Sequence, residues 1–263
     1  MSTLTTIKDI VDKLRVTEEP APWMQDLAQD TRVGVKNALA SWQRQYGKKE
    51  IILQEHIAKK VFDESFAPFK GAKVAGVDEA GRGPLAGPVV TAAVVLPSEV
   101  PELVGLDDSK AISKGERRRL ATLIRKVAIT YSTHIQSAKQ IDTLNIYAAT
   151  KDSMEQVVKQ LAVKPDFVIV DAMALRIEYP TASVIKGDAK SLAVAAASIL
   201  AKTTRDAIMD QLHIDFPEYH FAKNAGYGTA EHVEALRIHG PCEHHRATFE
   251  PVKSMLAGGG TSR

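Results

Sequence analysis

Apolar positions recur along this chain at different spacings, and each spacing marks a type of element. In residues 1–72 they keep helical intervals: Ile7, Ile10, Val11 and Leu14 share one face, and Val35, Leu39, Trp42 and Tyr46 share another. Pro20 and Pro22 separate these two helices, and Gly34 and Gly47 are further weak points. A third helix is expected from Lys49 to about Phe62. β-Branched alternation is absent, so residues 1–72 read as a helical N-terminal extension. Its acidic and basic residues nearly cancel, so it is not a basic arm.

From Lys73 the texture changes to strands alternating with helices. Residues 74–77 form a short apolar strand, and 89–96 form a second, closed by Pro97. The connection between them is too short for a crossover helix, so the two should pair antiparallel. A third strand is expected over 128–135. Asn145 opens a helix whose inward positions are Met154, Val157, Val158 and Leu161. Residues 167–170 are apolar without interruption, as suits a central parallel strand buried on both faces. A fifth short strand spans 183–185, and 189–202 is an alanine-rich helix, apolar nearly all round, that must lie deep against the sheet. Thr229 suits the N-cap of a helix over 230–239, which Gly240-Pro241 ends. The fold class is α/β: a mixed five-stranded sheet flanked by helices, with the helical N-terminal extension and C-terminal helices. The expected division is 1–72 and 73–263, with a disordered glycine-rich tail from about residue 256.

Composition narrows the class only a little. Hydrophobic content of 44%, charged content of 25% and a formal charge of +2 describe an ordinary globular protein. A single cysteine, Cys242, excludes an intrachain disulfide and fits a reducing compartment. The N-terminus places acid where a signal peptide needs an apolar core, and the longest apolar run is about half a membrane span. A cytoplasmic, soluble chain without membrane association is expected. Charge is uneven, however. Lys110, Lys114, Arg117, Arg118, Arg119, Arg125 and Lys126 stand against Glu116 alone, around a helical apolar face of Leu120, Leu123, Ile124 and Val127. This is either a solvated helix or a surface for phosphates.

The chemistry gathers at strand ends. Asp78 and Glu79 follow the first strand, Asp171 follows the fourth, and Asp188 follows the fifth within a Lys-Gly-Asp turn. Strand ends of an open α/β sheet converge on one edge, where ligands sit. Four carboxylates there cannot all ionise unpaired, but they can around hard divalent cations such as Mg²⁺, which take oxygen ligands. Such sites activate water and stabilise a leaving oxygen, so phosphodiester hydrolysis is the reaction suggested. Two other patterns compete and fail. Gly81-Arg-Gly83-Pro-Leu-Ala86 fits a dinucleotide fingerprint, but Gly87-Pro88 ends any helix within a turn, and the fingerprint needs that helix. His239, Cys242, His244 and His245 have the residue types of a zinc site without its spacing. His245 and Arg246 are expected at the surface or on phosphate.

The run Asp78-Glu-Ala-Gly-Arg-Gly-Pro-Leu-Ala-Gly-Pro88 resembles the signature of bacterial ribonuclease HII, the type 2 ribonuclease H, along its length. Asp108-Ser-Lys110, Asp171, Lys186-Gly-Asp-Ala-Lys-Ser191, Ala195 to Lys202, Gly226-Tyr-Gly-Thr229 and His245-Arg246 with Phe249 and Pro251 follow in the family's order. Together these cover about residues 73–252. The resemblance implies the ribonuclease H fold, hydrolysis of RNA in RNA–DNA hybrids and incision 5′ to a single ribonucleotide in duplex DNA, leaving 3′-hydroxyl and 5′-phosphate ends. It implies that Asp78, Glu79, Asp171 and Asp188 bind metal, Mg²⁺ or Mn²⁺, as two ions. Gly81, Arg82 and Gly83 would grip the ribonucleotide, and Tyr227 would sense its 2′-hydroxyl. Lys110, Lys186 and Lys190 would touch phosphates, and a monomer is expected. The N-terminal helices stand outside the family's core, and a protein partner for them is unassigned. The rival is a non-catalytic nucleic-acid-binding module on the same fold; intact acids at all four places weigh against it.

Overall fold

Residues 6–106 and 112–258 are described by the structure, a computed structural model of the chain. Lys110, with the Asp-Asp-Ser before it, and the final residues of the expected disordered tail lie outside the described residues. The chain divides into two compact units, residues 1–57 and 58–263, and the division falls inside one helix.

The first unit takes its core from the helical spacings in the sequence. Helices α1 (Ile7–Val16), α2 (Trp23–Leu27) and the first part of α3 (Val33–Glu64) bury Ile10, Leu14, Met24, Leu27, Val35 and Leu39 together. Thr6 and Asp9 close a capping box at the start of α1, which satisfies amide groups the first turn cannot pair. Trp42 stacks on Tyr46 at 5.2 Å and donates to the Thr17 carbonyl. The expected break at Gly47 does not occur: α3 is a single helix of 32 residues. One glycine costs a helix about 1 kcal/mol, which is too little to interrupt a helix of this length.

The second unit is built on five strands: β1 (Val74–Ala80), β2 (Val89–Val95), β3 (Thr130–Gln136), β4 (Phe167–Asp171) and β5 (Thr181–Val184). Their order is β3-β2-β1-β4-β5. The first three pair antiparallel, and β1, β4 and β5 pair in parallel. Between them run α4 (Lys114–Val127), α5 (Ala138–Leu144) and α6 (Ile146–Lys159), and after β5 come α7 (Gly187–Lys190), α8 (Leu192–Asp215), α9 (Phe221–Asn224), α10 (Ala230–His239) and α11 (Val252–Gly258). Asn145 caps α6 and Thr229 caps α10, as their side chains allow.

Helix α8 lies on one face of the sheet and α6 on the other. The α6 side buries Ala75, Val77, Ala93, Val95, Met154, Val157 and Val158. On the α8 side, small residues bring helix and strand into direct contact. A Cβ on Gly76 would stand 2.1 Å from the Ala193 carbonyl carbon, so only glycine lets β1 and α8 approach this closely. Several boundaries differ from expectation: β3 and β5 lie two residues or less from their expected spans, and residues 187–190 form a helix of their own. β1 continues past Val77 to Ala80, because β2 goes on pairing with it, Asp78 opposite Ala92 and Glu79 opposite Thr91. The alanine-rich helix starts at Leu192, where Ser191 accepts the Val194 amide as its cap, and runs on to Asp215.

Candidate active site

β4 makes its last pair with β1 at Val77, so Asp78 and Glu79 project beyond that partner at the end where β4 itself finishes in Asp171. Oxygen atoms of Asp78, Glu79 and Asp171 all lie within 4.8 Å of one another. Asp78 shares its strand face with Gly76 and looks onto α8, where Ser198 hydrogen-bonds to it. It is only 5% exposed. Burial, then the charges of Glu79 and Asp171, push its carboxyl well above the usual carboxylate range, against the Ser198 bond. The Glu79 amide donates to Asp78 Oδ1 at 2.7 Å, and the Gly187 amide donates to Asp171 Oδ1 at 2.7 Å.

Asp188 is placed differently. It stands in the first turn of α7, half-buried, and its Oδ1 accepts the Ala189 amide at 2.9 Å. It is not among the three whose oxygens meet within 4.8 Å, although the preceding residue, Gly187, is bonded to Asp171. The structure thus brings three of the four expected acids together, and the fourth adjoins Gly187, whose amide donates to Asp171. Lys186, in a left-handed conformation with φ of 56°, and Lys190 flank it and are exposed. Arg82 reaches Glu79 Oε1 at 3.4 Å. One half-exposed guanidinium does not neutralise three clustered carboxylates, one of them buried. This hard-oxygen donor set suits a divalent cation such as Mg²⁺ or Mn²⁺.

Beside the acids, the Gly81-Arg-Gly83 loop is held from beneath. Gly81 has φ of +96°, and a Cβ there would stand 2.1 Å from Arg205 Nε. Two buried arginines support the turn. Arg246 donates to the carbonyls of Arg82 (2.8 Å), Gly87 (3.0 Å) and Gly81, while Arg205 donates to Pro88 (2.9 Å), Ala225 (2.8 Å) and Ala86 (3.1 Å). Among the described residues neither forms an ion pair. Burial lowers Arg205 to about 10; burial, with Arg205 as neighbour, lowers Arg246 to about 9, so both stay charged at neutral pH. The expectation that His245 and Arg246 lie at the surface is corrected: they are 5% and 0% exposed. A His-Arg pair in a loop looks solvated in sequence; here Arg246 satisfies carbonyls that the tight turn cannot pair internally, and the His245 ring bonds to Cys242 and His232.

Tyr227 sits on a loop docked against the same turn. Gly226 accepts the Leu85 amide at 2.8 Å, and the Tyr227 ring, half exposed, approaches Gly83 at 3.6 Å from where a Cβ would be. Sequence reading missed Arg205, Ser198 and His232. A signal existed for two of them, because Ser198 and Arg205 are seven apart on the face of α8 that continues to Met209 and Leu212. The basic helix is also more neutral than its sequence suggests. Lys114 and Arg118 bond to Asp210, Arg117 stands 3.8 Å from Asp206, and Arg119 pairs with Glu116.

A mixed sheet of this order, with carboxylates gathered at the ends of its two central strands, defines a ribonuclease H-like nuclease. The ribonuclease HII family model matches residues 75–252, and the model of the ribonuclease HII N-terminal domain matches residues 6–67. Ribonuclease HII of Geobacillus sp. (strain WCH70) is 42% identical over 252 residues, 95% of this chain and 91% of its own. Ribonuclease HII of Bacillus subtilis (strain 168) is 43% identical over 257 residues, 97% of this chain and all of its own. The crystal structure of ribonuclease H2 from Pyrococcus horikoshii OT3 aligns with a TM-score of 0.62 at 28% identity, covering 71% of this chain and 98% of that one. The chain belongs to the ribonuclease HII family. It is accordingly an endoribonuclease, a phosphodiester hydrolase.

Proposed function

We propose that this chain is a divalent-metal-dependent ribonuclease H that hydrolyses RNA in RNA–DNA hybrids and incises 5′ to single ribonucleotides in duplex DNA. The products would carry 3′-hydroxyl and 5′-phosphate ends. The observation that supports this most is the triad of Asp78, Glu79 and Asp171 within 4.8 Å beside a glycine turn. Asp78, Glu79 and Asp171, with Asp188 next to them, would hold Mg²⁺ or Mn²⁺. When bound, such ions lower the pKa of water and stabilise charge on a phosphate.

The chain's own residues supply the selection. RNA is told from DNA at one nucleotide by the 2′-hydroxyl, a donor and acceptor together. Gly81 lets the turn close on Arg205, exposed Gly83 leaves its backbone open to close approach, and Arg82 stands between them for a phosphate. The Tyr227 ring, next to Gly83, offers a face for the sugar and a hydroxyl for bonding. Lys186 and Lys190 would contact the backbone as point charges, and Lys110 belongs to the same reading from sequence alone. Catalysis is assigned to residues 73–263, with residues 1–72 as an accessory helical region.

Cleavage of an RNA–DNA hybrid in Mg²⁺ tests this reading. The natural chain should cut, and Asp78→Asn, which removes a charge and little volume, should bind the hybrid without cutting. A natural chain that binds and never cuts would establish the binding-module alternative instead.

A further inference from the structure

Two buried histidines lie ring to ring behind the Tyr227 loop, and the proton positions on them follow from the backbone. His232, in the first turn of α10, is 0% exposed, and its Nε2 is 3.0 Å from Nε2 of His245. At one end of this chain of bonds, the Cys242 backbone N–H donates to His245 Nδ1 at 3.0 Å. An amide N–H only donates, so Nδ1 carries no hydrogen and the neutral ring holds its proton on Nε2. The Cys242 sulfur, 3.2 Å from Nδ1, is a second donor to it. His245 Nε2–H then donates to His232 Nε2, which leaves the His232 proton on Nδ1. From there it donates to the Tyr227 carbonyl at 2.8 Å, and a carbonyl only accepts.

A single arrangement therefore satisfies every atom: both rings neutral, with opposite tautomers. An added proton on His245 Nδ1 would face the Cys242 N–H, and one on His232 Nε2 would face the His245 N–H. Tyr219 packs edge-on at 4.7 Å from the His245 ring and gives its hydroxyl to Gly240, while Phe221 lies 5.5 and 5.7 Å from His232 and His245. Among the described residues no carboxylate bonds to either ring, so nothing favours a charged pair. The same segment reaches the catalytic turn directly, since His245 bridges to Ala86 and the next residue, Arg246, carries the carbonyls of Gly81 and Arg82.

We propose that His232 and His245 are positioning residues for the reaction: as a neutral pair with fixed tautomers, they pin the Tyr227 carbonyl and so set the ring that faces Gly83. The proposal rests on the reading of Tyr227 as the group that meets the ribose. A misplacement near 1 Å can cost about 10²-fold in rate, and the pair bonds the very residue whose ring must be placed.

Side-chain ¹H–¹⁵N correlation on the natural chain tests the pair without any substitution. At neutral pH it should show His245 as the Nε2–H form and His232 as the Nδ1–H form. A charged ring, or His232 as Nε2–H, overturns the proposal. Incision at a single ribonucleotide is then compared for His232→Ala, His232→Asn, Tyr227→Ala and the His232→Ala, Tyr227→Ala double variant. His232→Ala should lower kcat roughly tenfold or more with a smaller change in KM. Asn, whose amide can take the Nδ1 position, should recover most of that loss. The double variant should be no slower than Tyr227→Ala, because the histidine acts through that residue. Additive losses, or failure of Asn to rescue, overturn the positioning role. If Tyr227→Ala cuts at the natural rate, the reading of Tyr227 fails and the proposal goes with it. If Tyr227→Ala is impaired while His232→Ala is not, the positioning role alone fails.

Discussion

Asp78 holds a carboxylate where its neighbours make it costly, and that has consequences away from catalysis. Burial and the charges of Glu79 and Asp171 raise its carboxyl above the usual range, so at neutral pH and without metal the ionised group opposes folding. Asp78→Asn should therefore raise the melting temperature in chelator. In Mg²⁺ or Mn²⁺ the natural chain should gain stability by mass action and the variant should gain less. Thermal melts with and without metal check both. His245 makes the opposite pH statement. Burial and then His232 hold its ring near 4, against 6.5 for a free imidazole. Its contribution is present above pH 6.5 and is lost as pH falls toward 4, by up to about 3 kcal/mol. His245→Asn, which keeps an acceptor for Cys242, should flatten denaturation midpoints across that window. Legibility at this scale follows charge placement. All four acids were visible as carboxylates at or just past apolar strands, and three of them meet in the structure. The supporting roles of Arg205, Arg246 and His232 were not visible, since their carbonyl partners lie in turns and sequence shows no carbonyls.

Among the elements, the contact of β1 with α8 positions the site. Gly76→Ala would set a methyl 2.1 Å from the Ala193 carbonyl carbon, both parts being backbone that cannot turn aside. A loss of about 3 kcal/mol, the upper range for overpacking, is expected in urea denaturation, together with loss of activity, because Asp78 and Ser198 ride on these same two elements. Gly47→Ala in α3 has the reverse sign. Nothing lies within 4 Å of the added methyl, so the helix should gain about 0.5–1 kcal/mol. The five strands were legible, with the antiparallel pairing of β1 and β2 from their short connection and the parallel character of β4 from its unbroken apolar run. Several ends were not. β1 runs on through Asp78 and Glu79 because β2 pairs with it there, and polar residues in a strand look like its end. Helix α8 outlasts its alanine-rich half because Met209 and Leu212 keep one buried face while the other turns polar.

Over the whole molecule, net charge says little and its distribution says more. The basic residues of α4 are answered largely by Asp206, Asp210 and Glu116, whereas Arg205 and Arg246 stay charged and unpaired by acids beneath the turn that carries Arg82. Both are fully buried, so their charge is taken up by the carbonyls of the turn over residues 81–88 and of Ala225, and Arg82 is the cation that the turn presents outward. No described helix is long and apolar enough to cross a membrane. The central claim is that one turn joins a metal-binding triad to a reader of the ribose. Its most direct test is a DNA duplex carrying one ribonucleotide at a known position, incubated with the full chain in Mg²⁺, in Mn²⁺ and in chelator, with the ends of each product identified. A cut on the 5′ side of the ribonucleotide with either metal, leaving 3′-hydroxyl and 5′-phosphate, and none in chelator, is the expected result. Cleavage that persists in chelator, or a duplex that is bound and left whole in both metals, would contradict the account.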